Sequence, residues 1–203
     1  MHIAITGNIG SGKTTLAEKL AKHYGWEVLY EAVEGNPYLS DFYGDMDRWS
    51  FHLQIYFLKS RFEQVLEIMN SSKKIIQDRT IYEDAYIFAQ NLRESGKMTE
   101  TDFQTYFGLF SLMMNVARAP DLMIYLKASL PKLTKQIKKR GRDFELAIPE
   151  EYLESLNTLY ANFTENYKQG KVLVIDVDDL DYAANEADFN KVLEQVDHAL
   201  LFA

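Results

Sequence analysis

The amino-acid sequence predicts an α/β fold, in which helices cover both faces of a parallel β-sheet of five strands, as three layers. Three observations lead to this prediction. Five short apolar segments alternate with longer segments of helical periodicity, and the strands of a sheet covered on both faces are expected to be short apolar runs. A glycine-rich turn directly follows the first apolar segment. The 203 residues, 47% hydrophobic and 26% charged, have the composition of a globular protein.

The five predicted strands cover residues 2–6, 26–31, 74–77, 121–127 and 171–176. Helices are predicted over 13–24, 49–69, 81–92, 100–118, 130–140, within 148–168, and over 188–201. In the helix at 130–140, Pro131 suits the first turn and Gly141 suits the stop. No linker, repeat or change in composition divides the chain, so we expect a single domain over residues 1–203.

The longest predicted helix, 49–69, shows an apolar stripe with the spacing of one helix face. Its members are Leu58, Phe62, Val65, Leu66 and Met69. This spacing indicates a helix with one apolar face.

Charge and cysteine content exclude several classes of protein. The chain has 30 acidic and 22 basic residues, a net charge of -8, which argues against a general nucleic-acid binder. It has no cysteine, which excludes a disulfide framework and thiolate metal sites. No apolar run approaches the roughly 20 residues that span a membrane, and the N-terminus lacks the features of a signal peptide. We therefore expect a cytoplasmic protein without a membrane partner.

Residues 7–14, Gly-Asn-Ile-Gly-Ser-Gly-Lys-Thr, match the phosphate-binding pattern G-x-x-x-x-G-K-[ST]. Backbone N–H groups of such a loop bind phosphates, the lysine reaches the β and γ oxygens, and the threonine hydroxyl ligates magnesium. A chance match is expected on the order of once in a hundred chains of this length or less. We expect a purine nucleoside triphosphate, ATP with Mg²⁺, to be bound by Gly7, Asn8, Ile9, Gly10, Ser11, Gly12, Lys13, Thr14 and Thr15.

Carboxylates and an arginine follow the next two strands, at the edge of the sheet that faces the ligand in such folds. Glu31 ends the second strand, where it could orient and deprotonate an attacking hydroxyl, or could be a solvated loop acid. Asp78 and Arg79 follow the third strand. Asp78 could ligate magnesium and Arg79 could neutralise phosphoryl charge; alternatively, the two form a structural pair at a helix start.

Two further groups of polar residues could complete a site. Gln54 and Arg61 are seven residues apart and share a helix face, where they could read the edge of a nucleobase or could be exposed. Asp84 could meet Arg61. Seven basic residues and no acidic residue lie in 122–142, which indicates either a basic solvated helix end or a lid near 138–148 that brings Arg140 and Arg142 to the transferring phosphate.

In order and spacing, these residues are similar to those of the deoxyribonucleoside kinases over nearly the whole chain. The matching segments are the phosphate loop, Glu31, residues 36–39 with 42–43, residues 48–51 with Gln54 and Arg61, residues 78–80 with Asp84, and residues 139–142 with 148–153. Two segments depart from the family pattern: Ala32 stands where proline is usual, and Asp78-Arg79-Thr80 stands where Glu-Arg-Ser is frequent.

The resemblance implies a phosphate-loop kinase fold with strand order 2-3-1-4-5, and many members of this family are homodimers. It implies transfer of the γ-phosphoryl group of ATP to the 5′-hydroxyl of a deoxyribonucleoside, in nucleotide salvage. By the resemblance, Glu31 is the base and Arg79 contacts both Glu31 and the phosphate. It further implies that Tyr43 and Glu145 hold the sugar 3′-hydroxyl, that Gln54, Arg61 and Asp84 read the nucleobase, and that Arg140 and Arg142 belong to the lid.

The acceptor base follows in part from chemistry. An ionised Asp84 only accepts hydrogen bonds, which suits the amine of adenine or cytosine and disfavours O4 of thymine. Arg61 could donate to N7 of a purine or to O6 of guanine. Within this family, Arg and Asp at these two positions are typical of the members that phosphorylate purine or cytosine deoxynucleosides. We therefore expect a purine, deoxyadenosine before deoxyguanosine, with a deoxycytidine-preferring or broad kinase as the alternative.

Two other functions fit the sequence less well. A thymidylate kinase must bind an acceptor phosphate, yet residues 31–47 contain no Lys or Arg near the edge of the second strand. A non-catalytic guanine-nucleotide switch would need an Asn-Lys-x-Asp tetrapeptide, and the sequence has none. Both alternatives are therefore less favoured than a deoxynucleoside kinase.

Overall fold

The computed structural model describes residues 1–31 and 35–201, so Ala32 lies outside the described residues. Its five strands form one parallel sheet in the order β2-β3-β1-β4-β5, as expected from the resemblance. The strands are β1 (His2–Gly7), β2 (Glu27–Leu29), β3 (Ile75–Asp78), β4 (Leu122–Lys127) and β5 (Lys171–Asp176). In the register, Ile5 is paired with Asp78 on one side and with Ile124 on the other. The carboxyl ends of β1 and β3 therefore meet at one edge.

Helices fill the connections between the strands. They are α1 (Lys13–Tyr24), α2 (Leu39–Gly44), α3 (Met46–Asn70), α4 (Ile81–Glu83), α5 (Gln90–Glu94), α6 (Glu100–Met114), α7 (Leu130–Arg140), α8 (Asp143–Leu146), α9 (Glu150–Asn166) and α10 (Glu186–Leu201). A π-helical segment, Asp84–Ala89, joins α4 to α5 without a break.

Helices pack on both faces of the sheet because the side chains of each strand alternate between them. On β4, Leu122, Ile124 and Leu126 join a core that includes Leu16 of α1 and Val192 of α10. Met123 joins the opposite core, which α3 and α6 supply, and Tyr125 packs with residues of the π-helical segment and α9. This arrangement is the predicted three-layer fold.

Several boundaries differ from the sequence prediction. The second strand spans three residues rather than six. α3 begins at Met46, because the Asp45 side chain accepts a hydrogen bond from the Arg48 N–H and caps the helix. α6 ends at Met114, four residues before the predicted end. The short helices α2 and α8 and the π-helical segment were not predicted.

The apolar stripe of α3 is only partly internal. Leu58 and Val65 are buried, but Leu66 is 40% exposed. Leu109 and Leu112 of α6, which packs beside α3, are also exposed, as is Val116 beyond it. Among the described residues, no helix is long and apolar enough to cross a membrane.

Candidate active site

One cavity of about 860 Å³ opens at the carboxyl edge of the sheet, where ligands bind in open α/β folds. The turn after β1, the ends of β2 and β3, the helix α3 and the segment after α7 line it. Most of the residues predicted for the site lie in its wall: Ile9, Gly10, Gly12, Lys13, Thr14, Thr15, Glu31, Tyr43, Gln54, Asp78, Arg79, Asp84, Arg140, Arg142 and Glu145. Gly7, Asn8, Ser11 and Arg61 are not among its lining residues.

The phosphate loop connects the end of β1 to the start of α1. Gly10 and Gly12 have φ angles of +84° and +94°, which side chains with a Cβ rarely adopt. Lys13 is buried, its Nζ donates to the Asn8 carbonyl over 2.9 Å, and burial lowers its pKa to about 8. The loop therefore has the backbone conformation and the cation that a polyphosphate requires.

The side chain of Asn8 anchors the phosphate loop to α9. Its Nδ2 donates to the Leu153 carbonyl and to Asn157 Oδ1, both over 2.8 Å. The Asn157 amide in turn donates to the Ala128 carbonyl over 3.0 Å. Asn8 thus positions the loop rather than lining the cavity.

A tyrosine that the sequence analysis missed braces the same loop. The buried hydroxyl of Tyr182, in the segment between β5 and α10, lies 3.2 Å from the Ser11 carbonyl and 3.1 Å from the Gly12 carbonyl. A Cβ on Gly12 would overlap this hydroxyl. No motif or spacing links position 182 to the loop, so only the structure reveals the contact.

Thr14 and Asp78 form a donor set that fits magnesium. Thr14 Oγ1 lies 2.5 Å from Asp78 Oδ2, while the other oxygen of Asp78 is buried and has no hydrogen-bond partner among the described residues. The described residues contain no cluster of three or more His, Asp or Glu that could enclose a metal. Magnesium needs no such cluster, because it keeps several waters and binds through one or two protein oxygens together with substrate phosphates.

Glu31 and Arg79 form an ion pair in the wall of the cavity. Glu31 Oε1 lies 2.7 Å from Arg79 Nε and 3.7 Å from a terminal nitrogen of Arg61. Burial acts to raise the pKa of Glu31, but Arg79, Arg61, Lys13 and Arg140 together outweigh it, and the net shift is downward. Glu31 is therefore ionised at neutral pH, as a hydroxyl-directing base must be.

Arg79 is held by residues that the sequence analysis did not select. Its φ of +74° is rare for a residue with a side chain. Its NH1 nitrogen donates to the Tyr160 hydroxyl over 2.7 Å and lies 3.3 Å from Glu83 Oε1. The Thr-x-x-Glu pattern at Thr80 and Glu83 could have indicated a helix cap, but no sequence signal indicated Tyr160.

The cavity wall also contains polar groups that were predicted to read a nucleobase. Gln54 is buried, and its Oε1 has no partner among the described residues. Arg61 lies behind the wall, 3.4 Å from Asp84 Oδ2 and 3.1 Å from the Asp78 carbonyl. The predicted proximity of Arg61 and Asp84 is thus present. Burial raises the pKa of Asp84 to about 7, against the opposing effect of Arg61.

The segment after α7 closes one side of the cavity. Arg140 and Arg142 both donate to Glu145, at distances of 2.5–2.8 Å and 3.2 Å. Tyr43 of α2 stacks on Phe144 with ring centroids 5.6 Å apart. The residues predicted for the lid and for the sugar therefore meet in one cluster, although they come from separate parts of the chain.

A parallel sheet in this order, with a glycine-rich phosphate loop after its first strand, defines a P-loop phosphotransferase. The model of the deoxynucleoside kinase family matches residues 3–201. The chain belongs to that family and is an ATP-dependent kinase of deoxynucleosides.

Curated relatives and solved structures agree with this assignment. The chain is 38% identical to the deoxyadenosine/deoxycytidine kinase of Bacillus subtilis, over 96% of this chain and 90% of the relative. It is 46% identical to a deoxyadenosine kinase of Dictyostelium discoideum, over 81% of this chain and 67% of the relative. A deoxyadenosine kinase from M. mycoides, solved with dCMP and dCDP, superposes with a TM-score of 0.86 at 34% identity and covers 98% of this chain and 100% of its own.

Proposed function

We propose that this kinase transfers the γ-phosphoryl group of ATP to the 5′-hydroxyl of a purine deoxyribonucleoside, deoxyadenosine first, in nucleotide salvage. The observation that carries the proposal is the composition of this cavity. The phosphate loop, the Glu31–Arg79 pair and the buried polar side chains of Gln54 and Asp84 all line it. A donor triphosphate, an acceptor hydroxyl and a nucleobase can be accommodated together there.

The catalytic roles follow from the charges around the transferring phosphate. Phosphoryl transfer has a loose transition state, so positioning and charge neutralisation supply most of the catalysis. Glu31 orients the 5′-hydroxyl and accepts its proton. Lys13 and Arg79 neutralise charge on the phosphoryl oxygens from the loop side, and Arg140 and Arg142 do so from the lid, residues 138–148.

Magnesium accompanies ATP in this proposal, with Thr14 and Asp78 as the residues that hold it. When bound, it neutralises charge on the β and γ phosphates. The unpartnered oxygen of Asp78, the hydroxyl of Thr14 beside it and the phosphates of the donor make up the oxygen ligands that magnesium prefers.

The acceptor side discriminates by hydrogen bonding. The Asp84 carboxylate accepts from the amine of adenine, Gln54 pairs with the same base edge, and Arg61 keeps Asp84 in place from behind. Tyr43 and Glu145 hold the sugar 3′-hydroxyl. Cytosine also presents an amine, and one similar relative is named deoxyadenosine/deoxycytidine kinase. Deoxycytidine is therefore the second candidate acceptor for this wall, alongside deoxyguanosine.

We further propose that the enzyme is a cytoplasmic homodimer that binds neither nucleic acid nor membranes. Large apolar side chains are exposed on α3 and α6 and just beyond α6, and a second copy would cover them: Leu66, Leu109, Leu112 and Val116. The net charge of -8 disfavours binding to polyanions.

The decisive experiment is a phosphorylation assay with ATP and Mg²⁺ over the four deoxynucleosides, adenosine and dTMP. We expect the highest kcat/KM with deoxyadenosine, little turnover of thymidine and none of dTMP. Glu31→Gln, which keeps the size of the side chain and removes its charge, tests the proposed base and should lower kcat about 10²-fold. Preferred phosphorylation of dTMP, or a near-normal kcat in the variant, would contradict the proposal.

A further inference from the structure

A buried acid and a buried tyrosine lie behind Arg79, and the mechanism above gives neither of them a task. Glu83 and Tyr160 have no solvent exposure. A carboxylate is costly to bury unless it is paired and hydrogen-bonded. The partners of Glu83 therefore indicate what the residue does.

Only one oxygen of Glu83 is used by its helix. Glu83 Oε2 accepts from the Thr80 N–H over 2.8 Å, which completes the capping box at the start of α4. Glu83 Oε1 points elsewhere: it accepts from the Tyr160 hydroxyl over 2.8 Å and lies 3.3 Å from Arg79 NH1. It is also 3.5 Å from the N–H of Gly7, where the phosphate loop begins. Capping alone would not require these contacts.

Tyr160 binds the same guanidinium and also links it to Glu83. Its hydroxyl accepts from Arg79 NH1 over 2.7 Å and donates to Glu83, so both of its hydrogen-bonding roles are used. Its ring stacks on Tyr125 of β4, with centroids 5.8 Å apart and planes 11° apart, which fixes the hydroxyl in place. The Phe88 ring lies under the guanidinium, 4.7 Å from Arg79 Cζ.

Arg79 needs such support because its backbone is in the left-handed region, which a residue with a side chain keeps only when its surroundings impose it. We infer that Glu83 and Tyr160 are positioning residues for phosphoryl transfer, which hold Arg79 NH1 from behind while Nε faces Glu31. The inference rests on the proposed role of Arg79 at the transferring phosphate.

The test compares kcat and KM for Tyr160→Phe, Glu83→Gln and the double variant, with deoxyadenosine and with ATP. Tyr160→Phe removes one hydroxyl, and Glu83→Gln keeps the volume and the helix cap. We expect each single variant to lower kcat roughly ten- to hundredfold, since small misplacements of a catalytic group have effects of this size. Both KM values should stay within about twofold, because neither side chain lines the cavity.

Tyr24→Phe is the matched control, because the Tyr24 hydroxyl donates to Asp197 of α10 over 2.7 Å and Tyr24 does not line the cavity. It should keep the wild-type kcat. Thermal unfolding of each variant separates loss of positioning from loss of folding. If Tyr160→Phe does not fold, Glu83→Gln still tests the inference. The double variant should be no slower than the slower single variant, since both act through one guanidinium.

Wild-type kcat in folded Tyr160→Phe or Glu83→Gln would overturn the inference. So would a raised KM with unchanged kcat, or multiplied losses in the double variant. If the unaltered enzyme phosphorylates no deoxynucleoside, the proposed function fails instead, which distinguishes the two outcomes.

Discussion

At the scale of single residues, Asp84 is the group whose ionisation has the clearest consequence. The charged groups that face it are Arg61, Glu31, Arg79 and Glu83. Burial dominates over the cations and raises its pKa to about 7. Only the ionised form is purely an acceptor for the adenine amine. Because the pKa is raised, that form predominates above about pH 7 and is lost as the pH falls through this value.

We therefore predict that kcat/KM for deoxyadenosine, at saturating ATP, rises from about pH 6 to 8 with an apparent pKa near 7. Asp84→Asn should abolish this dependence. It should also lower kcat/KM roughly ten- to hundredfold, the usual scale for a hydrogen bond to a charged group. The pH profiles of both enzymes check the prediction. An unchanged slope in Asp84→Asn would assign the titration to another group.

The site residues that the sequence could predict are those fixed by the sheet edge and by helix spacing. Glu31 and Arg79 follow the neighbouring strands β2 and β3, so their proximity follows from parallel pairing. Tyr160 and Tyr182 could not be predicted, because each reaches the site from a distant element through a single hydroxyl. Glu83 was visible only as a helix cap.

At the scale of elements, the segment between β5 and α10 supports the phosphate loop. Besides the Tyr182 hydroxyl on the loop, Lys19 Nζ of α1 donates to the Tyr182 carbonyl over 2.6 Å. Lys132 of α7 donates to the Leu180 carbonyl over 2.8 Å. Three separate elements thus contact this segment. Its Tyr182 hydroxyl lies within hydrogen-bonding distance of the Ser11 and Gly12 carbonyls.

We predict that Tyr182→Phe raises KM for ATP roughly three- to tenfold, the cost of one net hydrogen bond. KM for deoxyadenosine should not change, because the hydroxyl contacts only the donor side. Steady-state kinetics with each substrate varied in turn give the answer, again with Tyr24→Phe as the control. Equal changes in both KM values would indicate a general loosening of the fold.

Helix and strand identity followed from the sequence more reliably than their ends did. All five strands and the long helices were predicted, since apolar runs and helical periodicity are local signals. The π-helical segment was not, because its backbone depends on what Asp84 and its neighbours pack against rather than on their own preferences. The early end of α6, at Met114, has no local cause that we identify.

At the scale of the whole molecule, the proposed dimer can be tested at the exposed apolar side chains of α3 and α6. We predict that Leu112→Asp converts the enzyme from a dimer to a monomer, because it places a charge in an apolar interface. Leu112 is 67% exposed in the single chain. Leu201→Asp is the matched control: this leucine is 78% exposed but lies at the end of α10, and the dimer should persist. Light scattering coupled to gel filtration measures both masses. A dimeric Leu112→Asp would place the interface elsewhere.

The strand order came from the family resemblance rather than from the strands themselves. Alternating apolar and helical segments predict a parallel sheet, but several orders satisfy that pattern. The resemblance carried by the phosphate loop and the residues spaced after it implies one strand order, which the structure has.

The attachment of Asn8 to α9 has a mechanical consequence. α9 directly follows the lid, and its Leu153 and Asn157 hold the second residue of the phosphate loop. A movement of the lid that displaces α9 must either pull that loop or break these two hydrogen bonds. We therefore expect triphosphate binding and lid closure to be coupled, in which case thermodynamic reciprocity requires each substrate to alter the affinity of the other by the same factor.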